Sequence, residues 1–251
     1  MDGENEESGI AMTTPSGSMT IDDLVDANHI LYAQRVVDGY GHVSARHDVN
    51  PGRFWLSRSL APALVTADDI MEFDLDGNAV EGLGRRPYVE RFIHSEIYRR
   101  RPDVQAVVHS HSPAVIPFGV TRVPMRPIFH MAAFLGGNVP VFEIRDIAGA
   151  TDMLISSASL GAAFALFLND KPVALMRGHG SVAVGNSIPQ AVFRAVYLEV
   201  NARLQAEAMR IGAVNFLTPG EALLAAAAND QHVSRPWELW KRELGKKTKL
   251  D

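Results

Sequence analysis

The sequence predicts an α/β fold in which helices cover both faces of a central mixed sheet. Short apolar runs of strand length are interleaved with longer amphipathic segments, without a strict strand–helix repeat. The chain has 251 residues, of which 47% are hydrophobic, which is enough for one large domain with a sizeable core. We therefore predict a single domain over residues 20–251. The polar, acidic, Ser- and Gly-rich residues 1–19 are predicted to form a disordered tail.

Caps, turns and apolar periodicity place the elements of the first half of the chain. A Ser or Thr before an apolar, helix-periodic segment predicts a helix start, and Gly or Pro predicts its end. Apolar runs bounded by turn residues predict strands. The predicted elements are a helix from Thr20 towards Gly39, a Gly-rich turn leading into a strand over 39–46, strands at 54–56 and 70–74, a turn at 76–78 followed by another short strand, and a helix over 88–101.

The same signals continue through the second half. A Ser-Pro pair is typical of a helix start, because Pro fits the first helical turn. The predicted elements are a buried strand at 104–109, a helix from Ser112, a strand at 139–144, a long helix at 147–169, a strand at 172–176, a long helix at 187–212, and one or two helices within 221–249.

Composition excludes several classes of function. The net charge is −5 and no long basic run is present, which argues against a nucleic-acid partner. The chain has no cysteine, so thiolate metal ligands, disulfides and a cysteine nucleophile are excluded. We find no signal-peptide pattern and no apolar stretch long enough to span a membrane. A cytoplasmic protein is therefore expected, with no membrane partner.

Three histidines form the most informative pattern of the chain. His109 and His111 end an apolar run, and His179 follows a second apolar run, residues 172–176. Residues i and i+2 of a strand point to the same face, so His109 and His111 are able to reach one point. Three neutral imidazoles with an open coordination position are typical of a catalytic metal site. The alternative is that the three are ordinary histidines at strand ends.

Glu90 lies at the start of the helix that precedes the His109 strand. The helix dipole favours its charged form there, and beside a divalent cation it is able to carry a proton. Capping of the helix alone would also explain a Glu at this position. His94 follows one turn later and is interpreted either as a support for the site or, more simply, as a packing residue.

Several ordered motifs resemble the class II aldolase/adducin family over about residues 21–211. The resemblance rests on Glu90-Arg91-Phe92, His94, Arg101-Pro102-Asp103, Val107-Val108-His109-Ser110-His111, Gly136-Gly137-Asn138-Val139-Pro140, His179-Gly180, and Gly41-His42-Val43-Ser44-Ala45-Arg46 with His in place of the usual Asn.

The resemblance implies an αβα sandwich with a largely antiparallel central sheet. It also implies a homotetramer with active sites between subunits. By motif, His109, His111 and His179 are the metal ligands, and Glu90 is the acid/base or a fourth ligand. Mn²⁺ is favoured, with Zn²⁺, Fe²⁺ or Co²⁺ as alternatives. Retention of all three histidines favours an enzyme over an adducin-like assembly module.

The phosphate-binding motifs of the sugar-phosphate aldolases are replaced here. Tyr88 and Val89 stand where those aldolases have two serines, and His42 stands for their Asn, so a sugar phosphate is disfavoured. Within the family, the altered motifs resemble non-oxidative decarboxylases of hydroxylated aromatic or pyridine ortho-dicarboxylates, as in aromatic or vitamin B6 catabolism. A metal-dependent aldolase acting on an unphosphorylated hydroxy-keto acid and an iron-dependent oxygenase remain alternatives.

Candidate substrate-binding and proton-carrying groups follow from these departures. Arginine offers bidentate carboxylate recognition, and a titratable His replaces a Tyr that supplies a proton across the subunit boundary in some aldolases. Trp237 and Trp240 are interpreted either as a roof over an aromatic ring or as packing residues. The predicted substrate-binding residues are His42, Arg46, Tyr88 and Arg91, and His130 is the predicted second catalytic residue.

Overall fold

A computed structural model describes residues 16–81 and 84–247. Helix α1 begins at Ser16, inside the predicted tail, and residues 1–15 lie outside the described residues. No helix among the residues described combines the length and apolar character needed to cross a membrane. The α-helices are α1 (Ser16–Ala33), α2 (Arg91–Arg100), α3 (Ile116–Val120), α4 (Arg145–Ala148), α5 (Ala158–Leu168), α6 (Ile188–Ile211), α7 (Pro219–Asp230) and α8 (Ser234–Lys247).

The sheet has seven strands and is antiparallel except at one edge. Its spatial order is β3-β2-β1-β4-β7-β6-β5, and only the β5–β6 pair is parallel. The predicted mixed, largely antiparallel sheet is thereby confirmed. The strands are β1 (His42–Arg46), β2 (Arg53–Ser57), β3 (Ile70–Asp74), β4 (Ala106–Ser110), β5 (Val141–Phe142), β6 (Val173–Met176) and β7 (Gly180–Gly185).

Alternation along each strand divides the core into two layers. In β4, Val108 packs with α1 and α6 on one face, while Val107 packs with α2 and α5 on the other. This alternation is the period-2 geometry of a strand buried on both faces. The predicted αβα sandwich is confirmed, and it puts the odd-numbered residues of β4, including His109, on the α2 side.

One predicted helix is wrong, one strand was missed, and two helices begin later than predicted. The long helix at 147–169 is two helices, because Gly149 with φ of +66° ends α4 and the Ser157 hydroxyl caps α5. Strand β7 was not predicted, since its glycine- and alanine-containing run lacks a strong apolar alternation. The segments before α2 and α3 are turns, so these helices begin three to four residues later than predicted.

The two tryptophans of α8 pack inside the helical layer and do not roof the predicted site. Trp237 and Trp240 are buried in the core shared with α1 and α6, and Trp240 lies 6.4 Å from the Tyr197 ring. That core is on the sheet face opposite α2. The packing interpretation is therefore the one observed for this chain.

Candidate metal centre and active site

His109 and His111 come together because β4 delivers them to the same side of the sheet. His109 is paired with His42 of β1 and is fully buried, and His111 follows just beyond the strand end. Their Nε2 atoms are 3.2 Å apart. The Nδ1 of His109 lies 3.1 Å from the Ser181 carbonyl, an acceptor that makes Nδ1 the protonated nitrogen and leaves the Nε2 lone pair free.

His179 reaches the same point from the hairpin between β6 and β7. Gly178 adopts φ of +65° in this turn, a conformation that favours glycine. A Cβ on Gly180 would lie 2.0 Å from the Ser110 carbonyl oxygen, so only glycine lets β7 approach the end of β4 this closely. As a result, the Nε2 of His179 lies 3.1 Å from the Nε2 of His111.

Glu90, the residue that precedes α2, completes the cluster. One carboxylate oxygen, Oε2, is 3.5 Å from the Nε2 atoms of both His109 and His179. The other, Oε1, accepts a hydrogen bond of 3.0 Å from the Ile155 backbone N–H. Ligand atoms from the carboxylate and all three imidazoles lie within 4.8 Å of one another. Glu90 is thus fixed at both oxygens.

This donor set fits a divalent transition-metal ion. Ligand atoms about 2.1 Å from one ion are about 3.0–3.4 Å apart at tetrahedral or octahedral angles, which matches the spacing of the imidazole nitrogens. The Nε2 of His111 lies 3.2 Å from that of His109 and 3.1 Å from that of His179, and both separations fit one coordination shell. Three imidazoles and a carboxylate, without thiolate, suit Mn²⁺, Fe²⁺, Co²⁺ or Zn²⁺.

Burial and mutual proximity set the electrostatics of the cluster. Burial lowers the pKa of His111 to about 4, helped by the neighbouring His109 and His179. Burial alone would raise the pKa of Glu90, but the neighbouring imidazoles of His109 and His179 hold it well below its usual range. The site therefore presents an uncharged His111 and an ionised carboxylate, the forms that bind a cation.

A cavity of about 660 Å³ opens directly onto the cluster. His42 and Tyr88 form one wall, with ring centroids 4.5 Å apart. The Tyr88 hydroxyl donates to the Leu60 carbonyl, so Tyr88 offers its ring face to the cavity. The lining residues are Gly39, Tyr40, Gly41, His42, Ser59, Leu60, Ala61, Tyr88, Val89, Glu90, His109, His111 and Leu154.

Behind the cavity wall, His42 belongs to a buried hydrogen-bonded chain. Its Nδ1 lies 2.6 Å from the Nε2 of His94. The Nδ1 of His94 lies 2.6 Å from the Ser44 hydroxyl, which lies 2.7 Å from the Tyr98 hydroxyl. Of the two roles considered for His94, these bonds agree with support of the site. The signal in the sequence was spacing, because His94 is four residues after Glu90 and shares its helix face.

The two predicted substrate-binding arginines are not brought to the cavity. The guanidinium of buried Arg46 donates to four backbone carbonyls, those of Pro51, Tyr98, Arg101 and Val104. Its position on β1 is four residues from His42, or roughly 13 Å along the strand. Four of the five N–H groups of the Arg46 guanidinium donate to backbone carbonyls. Its role as a substrate-binding residue stays a prediction.

Arg91 points away from the cluster towards the turn after β3. Its Nε donates to the Gly77 carbonyl at 2.6 Å, and its Nη1 donates to the Tyr88 carbonyl at 3.0 Å. The guanidinium also stacks on the Phe92 ring, 4.4 Å from its centroid. Arg91 therefore holds backbone segments together, and its role as a substrate-binding residue stays a prediction.

His130 is exposed and does not line this cavity. It begins the 3-10 helix His130–Leu135, and its backbone carbonyl accepts a hydrogen bond from Asn229. The cavity lining includes Leu60 and Leu154, which the sequence analysis did not find. Apolar side chains leave no signature in a search for titratable residues, so the sequence offered no signal for them.

Comparison with known proteins agrees with this architecture. The model of the Class II Aldolase and Adducin N-terminal domain matches residues 22–206. The decarboxylase tropJ of Talaromyces stipitatus is 37% identical, with 90% of this chain and 94% of that protein covered. The 3,4-dihydroxyphthalate decarboxylase of Arthrobacter keyseri is 33% identical, with 74% and 77% covered. An aldolase II superfamily protein from Pseudomonas syringae superposes with a TM-score of 0.78 at 24% identity, covering 94% of this chain and 96% of that one.

The chain therefore belongs to the class II aldolase/adducin family. Within that family it is a carbon–carbon lyase, and the class of carboxy-lyases fits its decarboxylase relatives. The family and the cluster of Glu90 with three histidines together point to a divalent metal.

Proposed function

We propose that this protein is a metal-dependent, non-oxidative decarboxylase of a hydroxylated aromatic or pyridine ortho-dicarboxylate. The observation that carries the proposal is the convergence of His109, His111, His179 and Glu90 at the floor of a cavity walled by aromatic rings. Two relatives named as decarboxylases, one of them acting on 3,4-dihydroxyphthalate, support the reaction class.

His109, His111 and His179 would hold the ion, and Mn²⁺ is the proposed metal. An ion that accepts six ligands suits three imidazoles plus a chelating substrate better than tetrahedral Zn²⁺ does. When bound, the ion supplies Lewis-acid stabilisation of negative charge on a substrate oxygen.

The wall of the cavity favours a flat ring over a sugar phosphate. The tilted pair of His42 and Tyr88 presents ring edges and faces on one side, where the related sugar-phosphate aldolases use small hydroxyl groups. Arg46 and Arg91 donate to backbone carbonyls and do not line this cavity, so the proposal does not use them as carboxylate anchors. His42 and Tyr88 remain the proposed substrate-contacting residues of this chain.

Glu90 is the proposed proton carrier. Its ionised Oε2 accepts the proton of the substrate hydroxyl and then delivers it to the ring carbon that bears the departing carboxylate. The departing carboxylate then lies β to the carbonyl formed from the hydroxyl, so the carbon–carbon bond breaks, CO₂ leaves, and the electron pair restores the aromatic ring with the negative charge on the phenolate oxygen. The Ile155 N–H holds Oε1 throughout, which keeps Oε2 aimed at the reacting atoms.

Assembly and location complete the proposal. We infer a homotetramer whose sites lie between subunits, in which His130 of one subunit would assist Glu90 of the next. The exposure of His130 in the single chain is compatible with this arrangement. A cytoplasmic location stays a prediction.

One experiment tests the function directly. The metal content of the purified protein is determined by elemental analysis, and the protein loaded with Mn²⁺ is then screened against hydroxylated ortho-dicarboxylates for CO₂ release. Release of CO₂ without consumption of O₂ is expected. Cleavage of a hydroxy-keto acid to an aldehyde and a pyruvate-like fragment, with no CO₂ from any dicarboxylate, would show an aldolase instead. Consumption of O₂ would show an oxygenase.

A further inference from the structure

A chain of four buried side chains runs from the cavity wall into the protein core. His42, His94, Ser44 and Tyr98 are linked in that order by contacts of 2.6, 2.6 and 2.7 Å. All four are between 0 and 4% exposed, so water does not compete for these hydrogen bonds. The metal ligands do not take part in them.

Donor and acceptor counting fixes the direction of the chain. Tyr98 is 1% exposed, and Ser44 Oγ is the only acceptor within hydrogen-bond distance of its hydroxyl among the described residues. A buried hydroxyl proton without an acceptor is costly, so Tyr98 donates to Ser44. The Ser44 proton must then go to the Nδ1 of His94, its remaining neighbour.

The same counting of donors and acceptors assigns the proton of each of the two imidazoles. With its Nδ1 accepting, His94 carries its proton on Nε2 and donates it to the Nδ1 of His42. Two protonated nitrogens would not lie 2.6 Å apart, so the Nδ1 of His42 is unprotonated and its single proton sits on Nε2. Burial lowers the pKa of His94 to about 3 and that of His42 well below its usual range, which agrees with two neutral rings.

The free nitrogen of His42 faces the cavity. Its Nε2 makes no hydrogen bond to any described residue, and the ring lines the cavity between Tyr88 and His109. Since no arginine lines this cavity within the described part of the chain, an N–H from His42 is a rare donor for an anionic ligand there.

We propose that Tyr98, Ser44 and His94 are positioning residues that lock His42 in its Nε2–H tautomer, so that the ring donates a hydrogen bond to a carboxylate or phenolate oxygen of the substrate. Only the identity of that oxygen rests on the proposed function. The tautomer itself is a property of the folded chain. The reverse tautomer would present a lone pair to the anion and repel it.

The tautomer is measured by magic-angle-spinning NMR on sedimented full-length protein labelled with ¹³C and ¹⁵N at histidine, with Zn²⁺ supplied as a diamagnetic ion. A His42→Asn variant identifies the His42 signals by difference. The expected spectrum shows a neutral His42 ring with Nε2 protonated and Nδ1 not. A His42 ring protonated at Nδ1, or at both nitrogens, would overturn the proposal.

Two variants test the role of the chain. Tyr98→Phe removes only the terminal hydroxyl, and Ser44→Ala removes the link between Tyr98 and His94. Both are expected to shift His42 to a mixture of tautomers. Matched controls are Tyr197→Phe, a partly buried tyrosine elsewhere, and Ser95→Ala, a buried serine whose hydroxyl has no hydrogen-bond partner among the described residues. If Tyr98→Phe leaves the tautomer unchanged while folding normally, the hydroxyl chain does not set it.

Kinetics separate this inference from the proposed function. With 3,4-dihydroxyphthalate as substrate, Tyr98→Phe is expected to raise KM roughly fivefold, the loss of one hydrogen bond, with a smaller change in kcat and unchanged metal content. A protein that shows the tautomer but releases no CO₂ from any dicarboxylate would refute the proposed function alone. Normal turnover with the opposite tautomer would refute the inference alone.

Discussion

The two ends of β1 carry polar side chains on the same face of the strand, but one side chain lines the cavity and the other binds backbone carbonyls. His42, at the end near β4 residue His109, lines the cavity and leaves one ring nitrogen open to it. Arg46, four residues later, is closed in by four backbone carbonyls. Both residues are buried, so exposure alone does not separate a binding residue from a structural one.

The difference lies in what surrounds each side chain. The Arg46 end meets the C-terminus of α2 and the loop that follows it, where carbonyls of Tyr98 and Arg101 need donors. The His42 end meets the start of α2 and the end of β4, where Glu90 and the imidazoles leave a cavity. The Arg46 guanidinium lies beside carbonyls that lack a helical partner and is held by hydrogen bonds to them. The neutral imidazole of His42 lies beside a cavity and keeps one ring nitrogen available to a ligand.

The largest expected effect comes from the strand partner of His42. His109→Ala removes a central ligand, so affinity for the metal is expected to fall at least about a hundredfold and CO₂ release to be lost. Elemental analysis after dialysis, together with the CO₂ assay, checks this. His232→Ala, at an exposed histidine, is the control and should keep both properties. Unchanged metal content in His109→Ala would refute the ligand set.

Glu90→Gln is expected to keep the metal but slow turnover by about two orders of magnitude or more, since the amide cannot carry the proton. Steady-state kinetics with parallel metal analysis measure the effect. Glu96→Gln changes a buried carboxylate on the same helix that pairs with Arg99, and it should turn over normally. Near-normal kcat in Glu90→Gln would remove Glu90 from the mechanism.

At the clamped end of β1, the effect should be on stability and not on kinetics. Arg46→Met leaves four carbonyls without their donor and is expected to lower the free energy of unfolding by about 3 kcal/mol. Urea denaturation measures this loss, and KM of the folded enzyme should not change. Arg203→Met, at an exposed arginine of α6, is the control with an expected change of less than about 0.5 kcal/mol.

Much of the fold and the ligand cluster could be predicted because local rules fix them. The i, i+2 spacing of His109 and His111 and the apolar run before His179 are enough to suggest convergence. The strands at 42–46 and 70–74 follow from their turn residues and apolar content, and the structure places them there. These features depend on neighbours in sequence.

The features that the sequence did not indicate depend on neighbours in space. The guanidinium of Arg46 donates hydrogen bonds to carbonyls up to 58 residues away in the sequence, which no local pattern indicates. Strand β7 exists because β4 and β6 flank it, and its own sequence has little strand signal. The bond between His42 and His94 likewise joins β1 to α2 across 52 residues. Tertiary partners decide which polar residues are free to act.

The smallest expected effect is at Arg91, and it sharpens the distinction between the two ends. Arg91→Lys keeps the positive charge but cannot bond to the Gly77 and Tyr88 carbonyls with one fork while stacking on Phe92. We expect a loss of about 1 kcal/mol in the free energy of unfolding, measured by urea denaturation, and an unchanged KM for 3,4-dihydroxyphthalate. A several-fold rise in KM without any loss of stability would instead make Arg91 a carboxylate anchor, as the sequence alone suggested. In that case Arg46 would differ from Arg91 in having only a structural role. At the cavity end of the sheet, the attraction of the guanidinium to a substrate carboxylate would then outweigh its hydrogen bonds to backbone carbonyls.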